Sequence, residues 1–314
     1  MSRPDAPILA IICPVYNEEA TVPLFFGRIQ PVMDELAARY RIRLVFLNNA
    51  STDGTLAAVD AVRACWAETY VVSMSRNVGY QSSLDGGFRL VEADLYVVID
   101  VDCEDPPEMI PQFIEHYEQG YDITYGERVD RPEPTPIKTA RKFFYRLLQK
   151  IADEEIILDM AEFSLVTREV RDAIIEDRSS FPFLRASIGR VGFRRKAIPF
   201  KRQRRIAGTT HYNLVGMTIF AVAGLLSAST LLLRLPLYFL PFWLLALCGL
   251  GAWAIVAQSA WVALAAFMLF AGYVGATAAF IALYVARAYK NGLQRPNAVI
   301  DRKRSRLPPG PEAA

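Results

Sequence analysis

Leu95-Tyr96-Val97-Val98-Ile99-Asp100-Val101-Asp102-Cys103-Glu104-Asp105-Pro106-Pro107-Glu108 is the stretch whose reading decides the fold. Five apolar residues run into two carboxylates one residue apart. A buried strand that ends this way sets both acids at the carboxyl edge of a sheet, where open α/β sheets bind their ligands. Two hard oxygen ligands there suit a Mg²⁺ or Mn²⁺ ion carrying a diphosphate. Alone, the same pattern describes a solvated acidic turn, so the flanking chain has to choose.

Working outward, strand-like runs recur at Ile8–Cys13, Arg43–Leu47, Thr69–Met74 and Asp122–Tyr125. The stretches between the runs, 21–38, 53–65, 80–92 and 107–118, have helix length and apolar spacing. That alternation predicts an α/β fold with a doubly wound, mainly parallel sheet. Thr52-Asp53 and Asp105-Pro106-Pro107 are helix-start signals. Arg128 to Pro136 is charged and proline-rich and reads as a loop. Ile137 to Ile151 carries Phe143, Phe144, Leu147 and Leu148 among Lys138, Arg141, Lys142 and Arg146, a basic amphipathic helix suited to an anionic membrane surface.

The chain has 314 residues, a formal charge of +2 and 53% hydrophobic residues. No signal peptide is visible, and Met1 to Pro7 is short and polar. Cys13, Cys65, Cys103 and Cys248 show neither paired nor metal-ligand spacing, so they read as thiols of a reducing compartment. From Leu214 to Ala286 only Arg234 is charged. Pro236–Ala257 and Ala260–Ala286 are each long enough to cross about 30 Å of hydrocarbon. Gln258-Ser259 between them allows only a tight hairpin. Basic residues crowd before the apolar region (Arg194, Arg195, Lys196, Lys201, Arg202, Arg204, Arg205) and after it (Arg287, Lys290, Arg295, Arg302, Lys303, Arg304, Arg306). The positive-inside tendency sets both flanks in the cytoplasm and requires an even number of crossings. The expectation is two transmembrane helices, with 214–233 lying along the interface. Tyr238 and Tyr284 are expected at the cytoplasmic interface and Trp261 at the outer one. The tail from Arg302 to Ala314 is expected to be disordered.

Four strand ends carry polar signatures in order: Pro14-Val15-Tyr16-Asn17-Glu18-Glu19, Asn48-Asn49-Ala50-Ser51-Thr52-Asp53-Gly54-Thr55, Ser75-Arg76-Asn77-Val78-Gly79, and the Asp-x-Asp block. Together they resemble glycosyltransferase family 2. Glu162-Phe163-Ser164-Leu165, Arg205 to Tyr212, the two closing spans and Arg295-Pro296 look like its polyprenyl-phosphate branch. That branch includes dolichyl-phosphate mannose synthase and bacterial undecaprenyl-phosphate glucosyltransferases. The resemblance covers nearly the whole chain.

The resemblance implies a nucleotide-sugar-binding domain of A-type. It implies inverting transfer of one sugar from a UDP- or GDP-linked donor to undecaprenyl phosphate, at the cytoplasmic face of the inner membrane. Pro14, Tyr16 and Glu18 would wall the nucleotide pocket. Asn49, Ser51, Asp53, Arg76 and Asn77 would approach base, ribose or phosphates. Asp100 and Asp102 would hold ribose and metal, with Glu104 as a further ligand. The acceptor follows from charge: a lipid monophosphate is already largely ionised at neutral pH, so the harder task is bringing it beside an anionic donor. Arg128 and Arg131 are candidates to screen it near the chemistry, and Arg205, Thr210, His211 and Tyr212 to hold its phosphate. Glu162 is a candidate base or orienting group. Membrane lipids are expected partners and nucleic acid is not. Small residues in the last span (Ala271, Gly272, Gly275, Ala276, Ala279) permit close helix packing, and a homo-oligomer is expected.

On this reading residues 1–135 form the nucleotide-sugar-binding catalytic domain, and 136–212 its acceptor side with the amphipathic helix. An interfacial helix follows over 213–234, a transmembrane hairpin over 235–287, and a cytoplasmic tail over 288–314. The chain departs from the family's usual residues at five places. Asn48-Asn49 stands for Asp-Asp, Glu104 for Gln, Glu162 for Asp, Ser164 for Arg, and Thr210-His211 for Ser-Lys. His211 is charged only part of the time near neutral pH. These changes motivate a catalytically degenerate scaffold as an alternative. A processive polysaccharide synthase is a weaker one, because all four tryptophans lie outside a Gln-x-x-Arg-Trp signature.

Overall fold

Both faces of the first strand are apolar, and both are covered. The computed structural model describes residues 6–129, 157, 160–180, 182–207 and 229–308. In β1 (Ile8–Val15), Leu9, Ile11, Cys13 and Val15 enter one core while Ala10 and Ile12 enter the other. A strand feeds two cores only when helices lie on both faces of its sheet. Helices α1 (Thr21–Leu36), α2 (Thr55–Cys65) and α4 (Ile110–Glu118) cover the first face with Phe25, Ile29, Val59, Val62 and Phe113. Helices α3 (Tyr80–Leu90), α5 (Arg168–Glu176) and α6 (Leu184–Val191) cover the second with Leu84, Phe88, Val170, Ile174 and Ile188. This is the doubly wound arrangement expected from the βαβ alternation.

The remaining strands are β2 (Arg41–Asn48), β3 (Thr69–Ser73), β4 (Leu95–Val98), β5 (Ile123–Val129), β6 (Met160–Thr167) and β7 (Arg195–Lys201). Their order is β3-β2-β1-β4-β6-β5-β7. Four of the neighbouring pairs are parallel, while β6 runs antiparallel to both β4 and β5. Strands β6 and β7 add to the five that the sequence pattern marks. Register brings the motifs together: Val15 pairs with Asn48, Asn48 with Ser73, and Ile12 with Val98. All four polar signatures therefore leave the sheet at one carboxyl edge.

Each lateral edge of the sheet is guarded against further pairing. Strand β7 alternates buried Ile198 and Phe200 with exposed Pro199 and Lys201. Strand β3 is covered by the segment after the last helix, which the sequence reading leaves disordered from Arg302. Residues up to Pro308 are instead placed on the catalytic domain, with bridges Val71–Arg306 and Met74–Ile300. Backbone pairing compensates for a composition too polar to form a core of its own.

Two apolar helices close the chain: α7 (Leu231–Ala257, 27 residues) and α8 (Ala260–Gly292, 33 residues). Both are long and apolar enough to cross a membrane. Their large side chains face outward, with Phe242, Leu245, Ile255, Val256 and Trp261 strongly exposed. Gln258, at φ 47°, makes the tight link expected between them. Trp243 stacks on Tyr273 with ring centroids 4.3 Å apart, and the Tyr273 hydroxyl donates to Pro236 O at 2.7 Å. Leu231–Leu233, assigned from sequence to the interfacial segment, form the first turn of α7 instead. The rest of that segment up to residue 228, and the amphipathic stretch 137–151, lie outside the described residues.

Candidate functional site

Three loops at the carboxyl edge hold a non-glycine residue in the left-handed region: Asn17 (φ 55°), Ala50 (φ 59°) and Cys103 (φ 56°). They follow β1, β2 and β4, the strands whose ends carry candidate residues. Such positions cost on the order of 1 kcal/mol each and persist where the surroundings hold them. The surroundings are visible. Ser51 Oγ accepts from Asn17 N–H at 3.1 Å, and Asn17 Oδ1 accepts from Thr52 N–H at 2.8 Å. Glu18 N–H donates to Thr55 Oγ1, and Asp53 Oδ2 accepts from Glu19 N–H. The first two motifs thus brace one another. Ser51 and Asp53 both serve this bracing, and Ser51 is buried.

Asn48 and Asn49 extend the bracing to the third motif. Asn48 Oδ1 accepts from Ser51 N–H at 3.0 Å, and its amide donates to Ser73 Oγ at 3.1 Å. Asn49 donates to Asn77 Oδ1 at 2.9 Å and accepts from Val78 N–H at 2.8 Å. Each uses donor and acceptor together, which a carboxylate cannot do. The departure from the usual acids therefore has a structural use. Arg76 and Asn77 are both exposed at this rim, and Pro14, Tyr16 and Glu18 are partly buried beside it.

Asp100 and Asp102 stand at the centre of the edge. The Tyr80 hydroxyl donates to Asp100 Oδ1 at 2.8 Å. Burial, then the Asp102 and Asp105 carboxylates, push Asp100 up to about 7. Burial also raises Asp102, opposed by Arg205, Arg202 and Arg128. Carboxylates crowded this way repel one another, and a divalent cation would relieve that repulsion. The pair fits a Mg²⁺ or Mn²⁺ ion that takes its other ligands from phosphate and water. Among the described residues no group of three acidic, His or Cys side chains is arranged to hold a metal. Glu104, expected as a third ligand, is ion-paired with Arg202 instead. Asp102 Oδ1 accepts from Glu104 N–H at 3.0 Å and so fixes the turn.

The sign of the Asp100 shift gives a prediction. Its folded value lies above the unfolded one, so its ionisation opposes folding between about pH 4 and 7, and the penalty is complete above. In metal-free protein Asp100→Asn should raise the melting temperature at pH 8 by roughly 2–4 °C, the shift of about 1 kcal/mol in a domain of this size. At pH 5 the gain should shrink. Melting curves at both pH values with chelator check this, and an equal effect at both would contradict it.

The chain after β7 folds back over the acidic loop. Gln203 N–H donates to Glu104 O and Ile206 N–H to Asp102 O. This return carries Arg205 between two motifs: one terminal nitrogen lies 2.6 Å from Glu18 Oε1 and the other 3.6 Å from Asp102 Oδ2. Arg28 on α1 secures the return by binding Glu108 and Gln203. Arg128 Nη2 donates to both oxygens of buried Asp105, at 3.0 and 3.2 Å, while its buried Nε has no hydrogen-bond partner among the described residues.

Glu162 lies on central strand β6. Its Oε1 meets Arg185 at 2.8 Å and accepts from Gln81 at 3.1 Å, whereas buried Oε2 has no hydrogen-bond partner among the described residues. Gln81 in turn accepts from Leu184 N–H. Ser164 is fully buried, with its hydroxyl turned back to Glu162 O. Tyr80, Gln81, Arg185 and Arg202 are absent from the sequence-based candidates. Tyr80-Gln81 directly follows the third motif and was findable as the opening of α3. Arg185 gives no sequence signal, because β6 and α6 form no recognisable βαβ unit. Arg131, Thr210, His211 and Tyr212 lie outside the described residues.

Residues 10–175 match the family model described as Glycosyl transferase family 2. The Bacillus subtilis glycosyltransferase YkcC is 33% identical over 230 residues, covering 73% of this chain and 71% of that protein. A prophage bactoprenol glucosyl transferase homolog of Escherichia coli is 30% identical, covering 73% and 75%. The bactoprenol glucosyl transferase of Shigella phage SfX is 30% identical, covering 79% and 81%. Glucosyl-3-phosphoglycerate synthase from Mycobacterium tuberculosis, solved with Mn²⁺, UDP and phosphoglyceric acid, superposes with a TM-score of 0.51. It is 19% identical over 70% of this chain and 78% of that one, a likeness of fold.

Proposed function

The chain belongs to glycosyl transferase family 2, in its polyprenyl-phosphate branch, and from that membership we propose that it transfers one sugar, with inversion, from a nucleotide sugar to a polyprenyl phosphate. The observation that carries the proposal is Arg205, held between Glu18 and Asp102 on the segment that continues in sequence toward α7. It sets a cation beside both donor-side acids, on a segment that leads in sequence toward the apolar helices.

Asp100 and Asp102 would hold Mg²⁺ or Mn²⁺, which supplies charge neutralisation at the donor diphosphate. Pro14, Tyr16, Glu18, Asn49, Ser51, Asp53, Arg76 and Asn77 would shape the nucleotide pocket, with Glu104 supporting the acidic turn. The acceptor phosphate is already anionic at neutral pH and needs little deprotonation. Its approach to a second anion is the barrier, and Arg205, with Arg131, Thr210, His211 and Tyr212, would lower it by pairing with phosphate oxygens. Arg128, expected near the chemistry, would act chiefly through Asp105, which its Nη2 holds. The unpartnered oxygen of Glu162 would orient the acceptor or take its residual proton, while Arg185 and Gln81 hold the other oxygen still. Attack opposite the leaving diphosphate inverts the anomeric centre. The basic flanks of the apolar region favour a multi-pass protein of the cytoplasmic membrane, with catalytic domain and both termini inside. Residues 1–135 would serve the donor and 136–212 the acceptor, and a homo-oligomer is in keeping with the small residues of α8.

The test is a transfer assay with detergent-purified protein, undecaprenyl phosphate, Mn²⁺ or Mg²⁺, and a panel of UDP- and GDP-sugars. The expected product is a metal-dependent lipid-linked monosaccharide from one donor. No product from any donor, together with no metal-dependent binding of UDP or GDP, would overturn the reading and favour a scaffold.

A further inference from the structure

The segment after α8 does more than close a sheet edge. Its backbone bridges to Val71 and Met74 are what edge protection needs. Its remaining bonds run past the edge toward the donor loop. Buried Ser73 donates its N–H to Ser305 Oγ at 2.9 Å and its hydroxyl to Arg304 O at 2.8 Å. The same Ser73 Oγ accepts from Asn48, and Asn48 holds Ser51 N–H. Arg304 then reaches over the relay, and its guanidinium donates to Ser51 O at 3.3 Å. Ser51 is thereby fixed at its N–H by Asn48, at its hydroxyl by Asn17 and at its carbonyl by Arg304. The neighbouring Ala50 is the left-handed residue that needs such fixing.

The segment is firmly seated. Asn297 donates to Asp85 Oδ2 at 3.1 Å and Ser179 O at 3.0 Å. A Cβ placed on Gly86 would meet the Ala298 Cβ at 3.0 Å, so α3 and the tail approach closely there and a side chain would press the tail outward. Arg306 pairs with Asp60 on α2. Edge packing alone requires neither the Ser73–Asn48 relay nor the Arg304 contact.

We propose that residues 297–306 are a positioning strap for the donor site, with Arg304 and Ser305 setting the affinity of loop 49–54 for the nucleotide. The proposal rests on the reading of that loop as part of the donor pocket. The strap joins α8 directly, so the helix that closes the apolar hairpin also fixes the nucleotide loop. Arg304 acts through Ser51 and is a positioning residue.

The experiment uses full-length protein in detergent and compares wild type with Arg304→Ala, Arg304→Lys and Ser305→Ala. Calorimetry with Mn²⁺ and UDP, or Mn²⁺ and GDP, measures nucleotide binding, and the transfer assay measures KM and kcat. Arg304→Ala should weaken nucleotide binding and raise donor KM about five- to tenfold, as loss of one charge-assisted hydrogen bond implies. Its kcat at saturating donor and its melting temperature should hold, and Arg304→Lys should restore most of the affinity. Ser305→Ala should raise donor KM in the same direction. Wild-type donor KM in both Arg304→Ala and Ser305→Ala would overturn the strap. So would a joint fall of kcat, affinity and melting temperature that Lys does not rescue, since that is plain edge packing. If wild type binds neither nucleotide, the donor-site reading fails and the strap with it. If wild type binds and the variants match it, only the strap fails.

Discussion

Asp102→Asn should lower kcat/KM for transfer about 10³-fold, the loss expected when a fixed charge facing the reacting diphosphate is removed. Asn keeps the shape of the side chain and an oxygen able to accept from Glu104 N–H, the bond that shapes the turn. It also removes the raised, desolvated carboxylate that Arg205, Arg202 and Arg128 now offset. The fold should therefore survive, with Arg205 still paired to Glu18. Mn²⁺-dependent binding of UDP or GDP should fall along with transfer. Glu104→Gln is the informative companion. Glu104 faces the half-exposed Arg202, so its loss should cost less than about tenfold. Steady-state kinetics and calorimetry on the two variants check this. A fall below tenfold for Asp102→Asn, or equal falls for both, would remove Asp102 from its assigned place.

The donor half of the site was legible because period and punctuation agree there. Apolar runs of strand length end in Asn, Asp, Ser and Gly, and parallel register carries every such end to one edge. The acceptor side was legible only as motifs. Glu162 stood out in Glu162-Phe163-Ser164-Leu165, but β6 is buried on both faces and antiparallel, so no alternation announced it. Its partners Arg185 and Gln81 come from α6 and α3, far apart in sequence, and only tertiary structure joins them. The tail was misread for a similar reason. Arg302, Lys303 and Arg304 look solvated by composition, yet backbone bonds of Asp301 and Arg306 to β3, and bonds of Arg304 to Ser73 and Ser51, hold the segment. Composition reports whether a segment can build its own core. It does not report whether an existing edge will take the segment in.

Arg128 was singled out as a cation for the chemistry, and its surroundings predict a second large effect, on stability. Asp105 is 1% exposed, and Arg128 holds both of its oxygens. Burial raises Asp105, and Arg128 is the first group opposing that rise. Arg128→Ala leaves a buried charge without a partner and should cost about 3–5 kcal/mol of stability. Lower pH should shrink the deficit. Without Arg128, folded Asp105 sits still further above its unfolded value, and protonated Asp105 needs no cation. The loss should thus be large at pH 8 and small at pH 5. Asp105→Asn on top of Arg128→Ala removes the charge and should recover most of the stability at pH 8, a coupling that a double-mutant cycle reads directly. Activity follows the same logic. With Arg128 Nη2 on both Asp105 oxygens, the double variant should return to within about tenfold of wild-type kcat/KM, whereas the loss of a phosphate-screening arginine persists at 10²-fold or more. A double variant that is stable and still inactive would give Arg128 back a direct role at the acceptor phosphate.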